Sequence, residues 1–374
     1  MREKRVIEDL IMRSQRVEKY DVGETFRSLS EKTGIKPSEI LKLNSNENFF
    51  IPLDFVRGIL RQVIEEIDPR IYPRDEFRDL RLTLSANLNI PAENIIIGTG
   101  SDQLIDLAAR LFLREGDEAL SISPTFAIYE RCVKIQGASY RGVPLKSDFS
   151  LDVDTILSST TPRTKIIFIC SPNNPTANQF RREDIIRLAE EFDGLIAVDE
   201  AYADFAEATL IDAAVEFENL MVFRTFSKVF GLAGLRIGYA AAGGRLAKAI
   251  NERFQMPYPV SLTALRAATK MMENMDYVRV FTSRLKSERS RLIDSLNHIN
   301  GVKAFPSETN FVLFQVNRDS KAVYRALLSR GIIIREIGRI LDFENCLRVT
   351  VAPSHMMARF IDGLKGALED AGQQ

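Results

Sequence analysis

Histidine, cysteine and long apolar runs are what this chain has least of, and each scarcity removes a class of function. Two histidines, His298 and His355, cannot build a His-rich metal centre, and Cys132, Cys170 and Cys346 are too few and too scattered for a zinc cluster or a disulfide framework. A reducing cytoplasm is the simplest setting for such a chain. No window approaches the length and apolarity of a membrane span, and the charged stretch from Met1 to Tyr20 lacks the apolar centre of a secretory signal. That stretch reads as a short amphipathic helix. An excess of either charge is also missing: 50 Lys plus Arg against 51 Asp plus Glu leave a formal net charge of −1. No global field draws nucleic acid or an anionic membrane, so any basic site must be local. The sequence also has no repeats and no low-complexity linker.

What is present is enough chain, 374 residues, for one large and one smaller domain. Apolar residues at helical spacing predict helices over 52–67 and 75–88. Short apolar runs then alternate with helical stretches, at 95–97, 119–122, 165–170, 195–198, 220–223 and 237–240. Continuous apolar strands separated by helices predict a mostly parallel sheet covered on both faces, with ligands beyond the carboxyl ends of its strands. After Ala264 the spacing is that of one long helix to about Leu296, and the remainder predicts an α+β unit. Its strands are expected over 310–316, 332–337 and 346–351, its helices over 320–330 and 357–371, with residues 24–45 joining from the other end of the chain.

The motifs fall where those strands end. Gly98 to Gln103 follows a strand and opens a helix expected at Leu104, so main-chain N–H groups and the positive helix end face an anion; an ordinary glycine turn capped by Ser101 or Asp102 is the plain alternative. Ser123-Pro124-Thr125-Phe126 places an aromatic ring that suits either a flat ligand or the core. Ser171 to Thr176 offers Asn174 as a donor, in a sequence that also favours a plain turn. Asp199 ends an apolar run and Tyr202 follows it. Thr225-Phe226-Ser227-Lys228, with Arg236 eight positions on, supplies hydroxyls and a guanidinium for a phosphate dianion beside an amine for an aldehyde. Amine, phosphate donors and a carboxylate for a ring nitrogen are together the requirements of pyridoxal phosphate.

Read in order, these residues resemble the fold-type I pyridoxal-phosphate-dependent aminotransferases, and within them the histidinol-phosphate aminotransferase group. The resemblance runs from Leu43-Asn44-Ser45-Asn46-Glu47-Asn48 through Tyr72-Pro73 and the motifs above to Thr309-Asn310-Phe311 and Leu347-Arg348-Val349-Thr350. It implies an α/β fold with a seven-stranded, mostly parallel sheet in a large domain (46–265), and a small α+β domain built from 1–45 plus 266–374. It implies that Lys228 forms the imine with the cofactor and that Asp199 partners its ring nitrogen. Phe126 would stack on the ring, and Asn174 with Tyr202 would bind its phenolic oxygen. Ser101, Asp102, Thr225, Ser227 and Arg236 would hold the phosphate, and Tyr72 would reach the cofactor of the neighbouring subunit in a homodimer. On the substrate side it implies Arg348 for the α-carboxylate, Arg335 for a distal phosphate, with Arg339 close by as its alternative, and Tyr20, Asn46 and Tyr258 around the side chain. The activity implied is transfer of an amino group between a phosphorylated or aromatic amino compound and a 2-oxo acid, with histidinol phosphate and 2-oxoglutarate the first choice.

Three departures from the group stand out. Ala177 stands where Gly is usual, Gln103 replaces a frequent Glu, and Ala352-Pro353-Ser354-His355-Met356-Met357 follows Val351 in place of Gly-Thr and an acidic pair. They bear on the substrate more than on the chemistry. A lyase resembling threonine-phosphate decarboxylase shares the motifs and is the rival reading, followed by an aminotransferase for aromatic or other amino acids. A regulator that merely holds the cofactor needs a DNA-binding domain, for which the twenty or so residues before the family-like region are too short. Sugar-modifying relatives are disfavoured because Arg348 suits a carboxylate.

Overall fold

The computed structural model describes residues 5–15 and 17–372. Seven strands form one sheet in the spatial order Ile95–Gly98, Gly238–Ala242, Leu220–Thr225, Leu195–Asp199, Thr164–Cys170, Glu118–Ser123, Ser139–Pro144. Only Gly238–Ala242 runs against its neighbours. Alternate residues of each strand enter two separate cores, as the two-residue period of a strand requires. Ile96, Phe168, Ala197, Phe223 and Ala240 pack under the helices Gly100–Phe112 and Ile128–Ile135. Ile97, Ile167, Val198, Val222 and Ala241 join the opposite core with the helices Asp75–Leu88, Arg182–Glu191 and Leu262–Glu273. With both faces covered, every residue of Leu195–Asp199 is buried. That explains why the strand reads as an unbroken apolar run.

A second, antiparallel sheet has the order Arg335–Ile340, Phe343–Thr350, Phe311–Val316, Val302–Ala304. Residues from the beginning of the chain lie beside it: Leu41–Lys42 pairs in parallel with Ile332–Ile333 as a separate two-stranded sheet, and Thr350 donates main-chain and hydroxyl hydrogen bonds to the Leu43 carbonyl, at 2.9 and 2.8 Å. The amphipathic helix expected at the beginning of the chain is Arg5–Ser14.

Four expectations change. The helix expected to open at Leu104 begins at Gly100, which puts Ser101 and Asp102 in its first turn. The long helix is two, Leu262–Glu273 and Met275–Asn297, because Asn274 leaves helical dihedrals and its side-chain amide donates to the Lys270 carbonyl at 2.7 Å. The strand expected over 332–337 is also two pieces, Ile332–Ile333 and Arg335–Ile340, which pair with different partners. The edge strand Ser139–Pro144 was not legible, since its sequence is mostly polar and exposed and ends in a proline that an edge tolerates.

Ala177 is buried with φ +67, the left-handed region that glycine occupies without a Cβ penalty. A left-handed L-residue costs roughly 1–2 kcal/mol, partly offset by the greater unfolded-state entropy of glycine. Ala177→Gly is therefore expected to raise unfolding free energy by about 1 kcal/mol in denaturant titrations. A destabilised variant would show that Ala177 carries no strain.

Candidate active site

The parallel topology brings the ends of five strands to one edge of the large sheet, and there the motifs meet. The helix Gly100–Phe112 starts without a side-chain cap at Thr99, so its first N–H groups have no intrahelical partner. Thr225 donates to Ser227 Oγ at 3.0 Å, and Arg236 Nη1 to the same oxygen at 3.3 Å. Arg236 Nη2 lies 3.2 Å from Asp102. The carboxylate of Asp102 thus orients Arg236, and what Asp102 itself offers an anion is its main-chain N–H. The cup is tight. A Cβ at Gly238 would stand 2.7 Å from the backbone of Gly100 and Ser101, and one at Gly100 2.9 Å from Arg236 Nη2. Uncapped amides, two hydroxyls and a guanidinium around one point make a dianion receptor.

Beside the cup lies Lys228, whose Nζ donates to the Ser45 carbonyl at 3.1 Å and sits 5.7 Å from the centre of the Tyr202 ring. Burial, then the positive charges of Arg348 and Arg236, lower its pKa to about 8. Asp199 is buried, accepts from the Tyr129 hydroxyl at 2.8 Å and from the Ala201 N–H at 3.0 Å, and has no cationic partner among the described residues. Loss of water raises its pKa to about 6 against those two donors. A buried carboxylate in that state is suited to a protonated ring nitrogen. The Phe126 ring meets the edge of Tyr129 at 5.8 Å, and Tyr129 stacks on Phe168 at 5.1 Å. Thr125 donates to Asn173 and Asn173 to the Pro124 carbonyl, tying the Phe126 turn to the turn that carries Asn174.

Tyr202 is buried, and desolvation holds its phenol protonated well above the ordinary range. It accepts from Asn46 Nδ2 at 2.9 Å, which leaves its own O–H to donate. Asn46 therefore positions Tyr202, while Thr350 and Asn310 hold its backbone.

The small antiparallel sheet contributes two arginines. Arg335 and Arg348 are direct cross-strand partners and so project from the same face. Arg348 is buried, donates to Asn174 Oδ1 at 2.5 Å and to the Asn44 carbonyl at 2.8 Å, and lies over Phe311. Its Nε has no partner and no carboxylate pairs with it among the described residues. Burial and the neighbouring Arg335 both lower its proton affinity. A desolvated guanidinium short of one acceptor is a receptor for a carboxylate. Arg335 is less buried and pairs with Asp21 at 3.0 Å. Tyr20 has its phenol pKa raised chiefly by burial, with the positive charges of Arg335 and Arg348 acting against the rise. Arg339 turns away to the Leu341 carbonyl.

Tyr72 and Tyr258 are not brought to this cluster within one chain. They stack on each other at 4.9 Å, Tyr72 being 73 % exposed, and the Thr99 hydroxyl donates to the Pro259 carbonyl beside them. The pair stands at the rim of the cup and faces outward. Of the departures, Gln103 accepts from the Thr99 N–H and reaches Gln255, while Pro353 begins the helix Ser354–Ala371. Tyr129 is the residue that sequence reasoning missed. Its signal was its place one turn after Phe126, but only the fold shows that it meets Asp199.

The sequence profile described as aminotransferase class I and II matches residues 38–364. A histidinol-phosphate aminotransferase of Methanosarcina mazei is 38 % identical over 339 residues, 90 % of each chain. One from Thermoanaerobacter sp. is 37 % identical over 329 residues, covering 87 % of this chain and 93 % of the relative. The crystal structure of histidinol-phosphate aminotransferase from Sinorhizobium meliloti in complex with pyridoxal-5'-phosphate superposes with a TM-score of 0.85 at 26 % identity, covering 93 % of this chain and 95 % of the other. With a cup, a buried lysine and a buried carboxylate at the strand ends of the same fold, this chain belongs to the aminotransferase class I and II family.

Proposed function

We propose that the protein is a pyridoxal-phosphate-dependent aminotransferase whose donor carries a distal phosphate, of the histidinol phosphate type, and whose acceptor is a 2-oxo acid such as 2-oxoglutarate. The observation that carries the substrate reading is the facing pair of arginines, one buried and short of an acceptor, the other nearer solvent. A site for two different anions needs two such cations. Relatives that act on histidinol phosphate support the choice of donor.

The residues fit pyridoxal phosphate on three observations: an uncapped helix start lined with hydroxyls and Arg236, a buried carboxylate lacking a cation, and a buried lysine with depressed basicity. When bound, that group supplies an aldehyde for the amine and an electron-accepting ring. Ser101, Asp102, Thr225, Ser227 and Arg236 would hold its phosphate, the first two through main-chain N–H groups. Asp199, oriented by Tyr129, would hold a proton at the ring nitrogen. Tyr202, oriented by Asn46, and the free amide N–H of Asn174 would donate to the phenolic oxygen, with Phe126 against the ring. Lys228, neutral at mildly alkaline pH, is the base for the proton on substrate Cα. Arg348 holds the α-carboxylate of the acceptor, and Arg335 the distal phosphate of the donor.

The domain boundary expected after residue 265 moves to the end of the helix Leu262–Glu273, because that helix packs against Leu53–Glu66 and Asp75–Leu88 of the large domain, and the cleft would lie between this body and the small domain. The outward-facing Tyr72–Tyr258 pair, flanked by exposed Ile71 and Met256, suits a two-fold dimer in which Tyr72 completes the partner's cup. A fully active monomer would remove that part. Three buried free thiols are in keeping with the cytoplasm.

The test is a two-substrate assay with histidinol phosphate and 2-oxoglutarate, reading glutamate by mass spectrometry. Arg335→Leu is expected to lower kcat/KM for histidinol phosphate by about 10- to 100-fold, the worth of a charge-assisted hydrogen bond, while a neutral donor such as phenylalanine changes little. Equal losses for both donors, or no glutamate from the wild type, would move the donor to another class. Release of carbon dioxide from a phosphorylated amino acid without glutamate formation would favour the lyase.

A further inference from the structure

Residues 18–25 have no regular structure and cross from the large sheet's helices to the small sheet. Arg131 Nη1 donates to the Glu18 carbonyl at 2.8 Å, and Asn44 Nδ2 to the Glu24 carbonyl at 3.1 Å. Between these anchors the strap lies against Arg335: a Cβ at Gly23 would stand 3.0 Å from Arg335 Nη1. Asp21 accepts from the Gly23 N–H at 2.8 Å with one oxygen and meets Arg335 at 3.0 Å with the other. Neighbouring carboxylates are engaged elsewhere, Glu24 by Lys32 and Ser28, and Glu336 by Ser320.

Two arginines facing each other across a ladder repel, and Arg348 has no carboxylate of its own among the described residues. We infer that Asp21 is a resident counter-ion, which occupies Arg335 until the distal anion of a substrate displaces it, and so selects dianionic tails over monoanionic ones. This rests on the reading of Arg335 as the distal-phosphate arginine. Asp21 suits exchange because its side chain is 75 % exposed while that of Arg335 is 28 % exposed, so the carboxylate returns to water when it leaves. Replacing one carboxylate by another gains nothing. Replacement by a phosphate dianion gains charge and acceptor oxygens, and a neutral tail leaves Asp21 in place.

The experiment uses cofactor-loaded enzyme, so that the phosphate cup is filled. Asp21→Asn is expected to lower KM for histidinol phosphate about two- to fivefold, the range of a solvent-open ion pair, with kcat unchanged. The constant for competitive inhibition by inorganic phosphate should fall by the same factor, and KM for phenylalanine should not move. In an Arg335→Leu background the Asp21 substitution should have no effect on any of the three. An equal change for phenylalanine, or an effect that persists without Arg335, would mean that Asp21 merely fastens the strap. If Arg335→Leu discriminates between the donors but Asp21→Asn is inert, only the role of Asp21 falls; if Arg335→Leu does not discriminate, the substrate reading falls with it.

Discussion

Lys228→Ala is expected to leave turnover at least about 10⁴-fold below the wild type, because it would delete both the amine proposed to anchor the cofactor aldehyde and the proposed base for the Cα proton. The cup built by Ser101, Ser227 and Arg236 does not include Lys228, so the variant should still bind the cofactor, exchangeably. Borohydride reduction followed by peptide mass mapping separates the two properties. The wild type should carry the cofactor mass on the peptide containing Lys228, and the variant none. Cofactor uptake by wild-type apoenzyme should also rise with pH through about 8, since the lowered pKa makes half of Lys228 neutral there. A lysine at the ordinary value near ~10.4 would be well under about 1 % neutral at that pH. Undiminished transamination by Lys228→Ala, or fixation of the cofactor elsewhere, would defeat the assignment.

How legible each part was depends on how far the chain had to fold to make it. Strand ends could be read because a buried parallel strand writes its whole length in apolar residues, so Asp199, Ser171 and Thr225 mark its exit plainly. The topology then gathers those exits without further information from the side chains. Contacts made sideways leave no such trace. Asn46 orients Tyr202 across 156 positions of sequence, Tyr129 orients Asp199 across 70, and Asp21 meets Arg335 from the other end of the chain. Adjacency of the strands carrying Arg335 and Arg348 was readable, but not the register that sets the two arginines opposite each other. Ala177 was visible as a departure, and only the backbone shows that it costs strain. Periodicity carried the helix over Asn274 because the apolar spacing continues on both sides of the break.

Asp199→Asn is the second large effect expected, and it isolates charge from shape. The amide keeps the size of the carboxylate, and its oxygen can accept from Tyr129 or Ala201, so the fold around it should persist. What is lost is the negative charge that, as proposed, would hold a proton on the cofactor's ring nitrogen. Turnover should fall by roughly 10²–10³, the scale of removing one preorganised electrostatic contact from a site closed to water. Cofactor affinity gives an independent reading. Asp199 in the empty site has a pKa raised to about 6, so it is charged above that pH and neutral below it. Wild-type dissociation constants for the cofactor should therefore rise as the pH falls through about 6, whereas Asp199→Asn should bind weakly with no such limb. The Tyr129 hydroxyl opposes burial by donating to the ionised form, so Tyr129→Phe should move the limb to higher pH without abolishing it. An unchanged limb in Asp199→Asn would place the titrating group elsewhere and leave the ring nitrogen without its proposed partner.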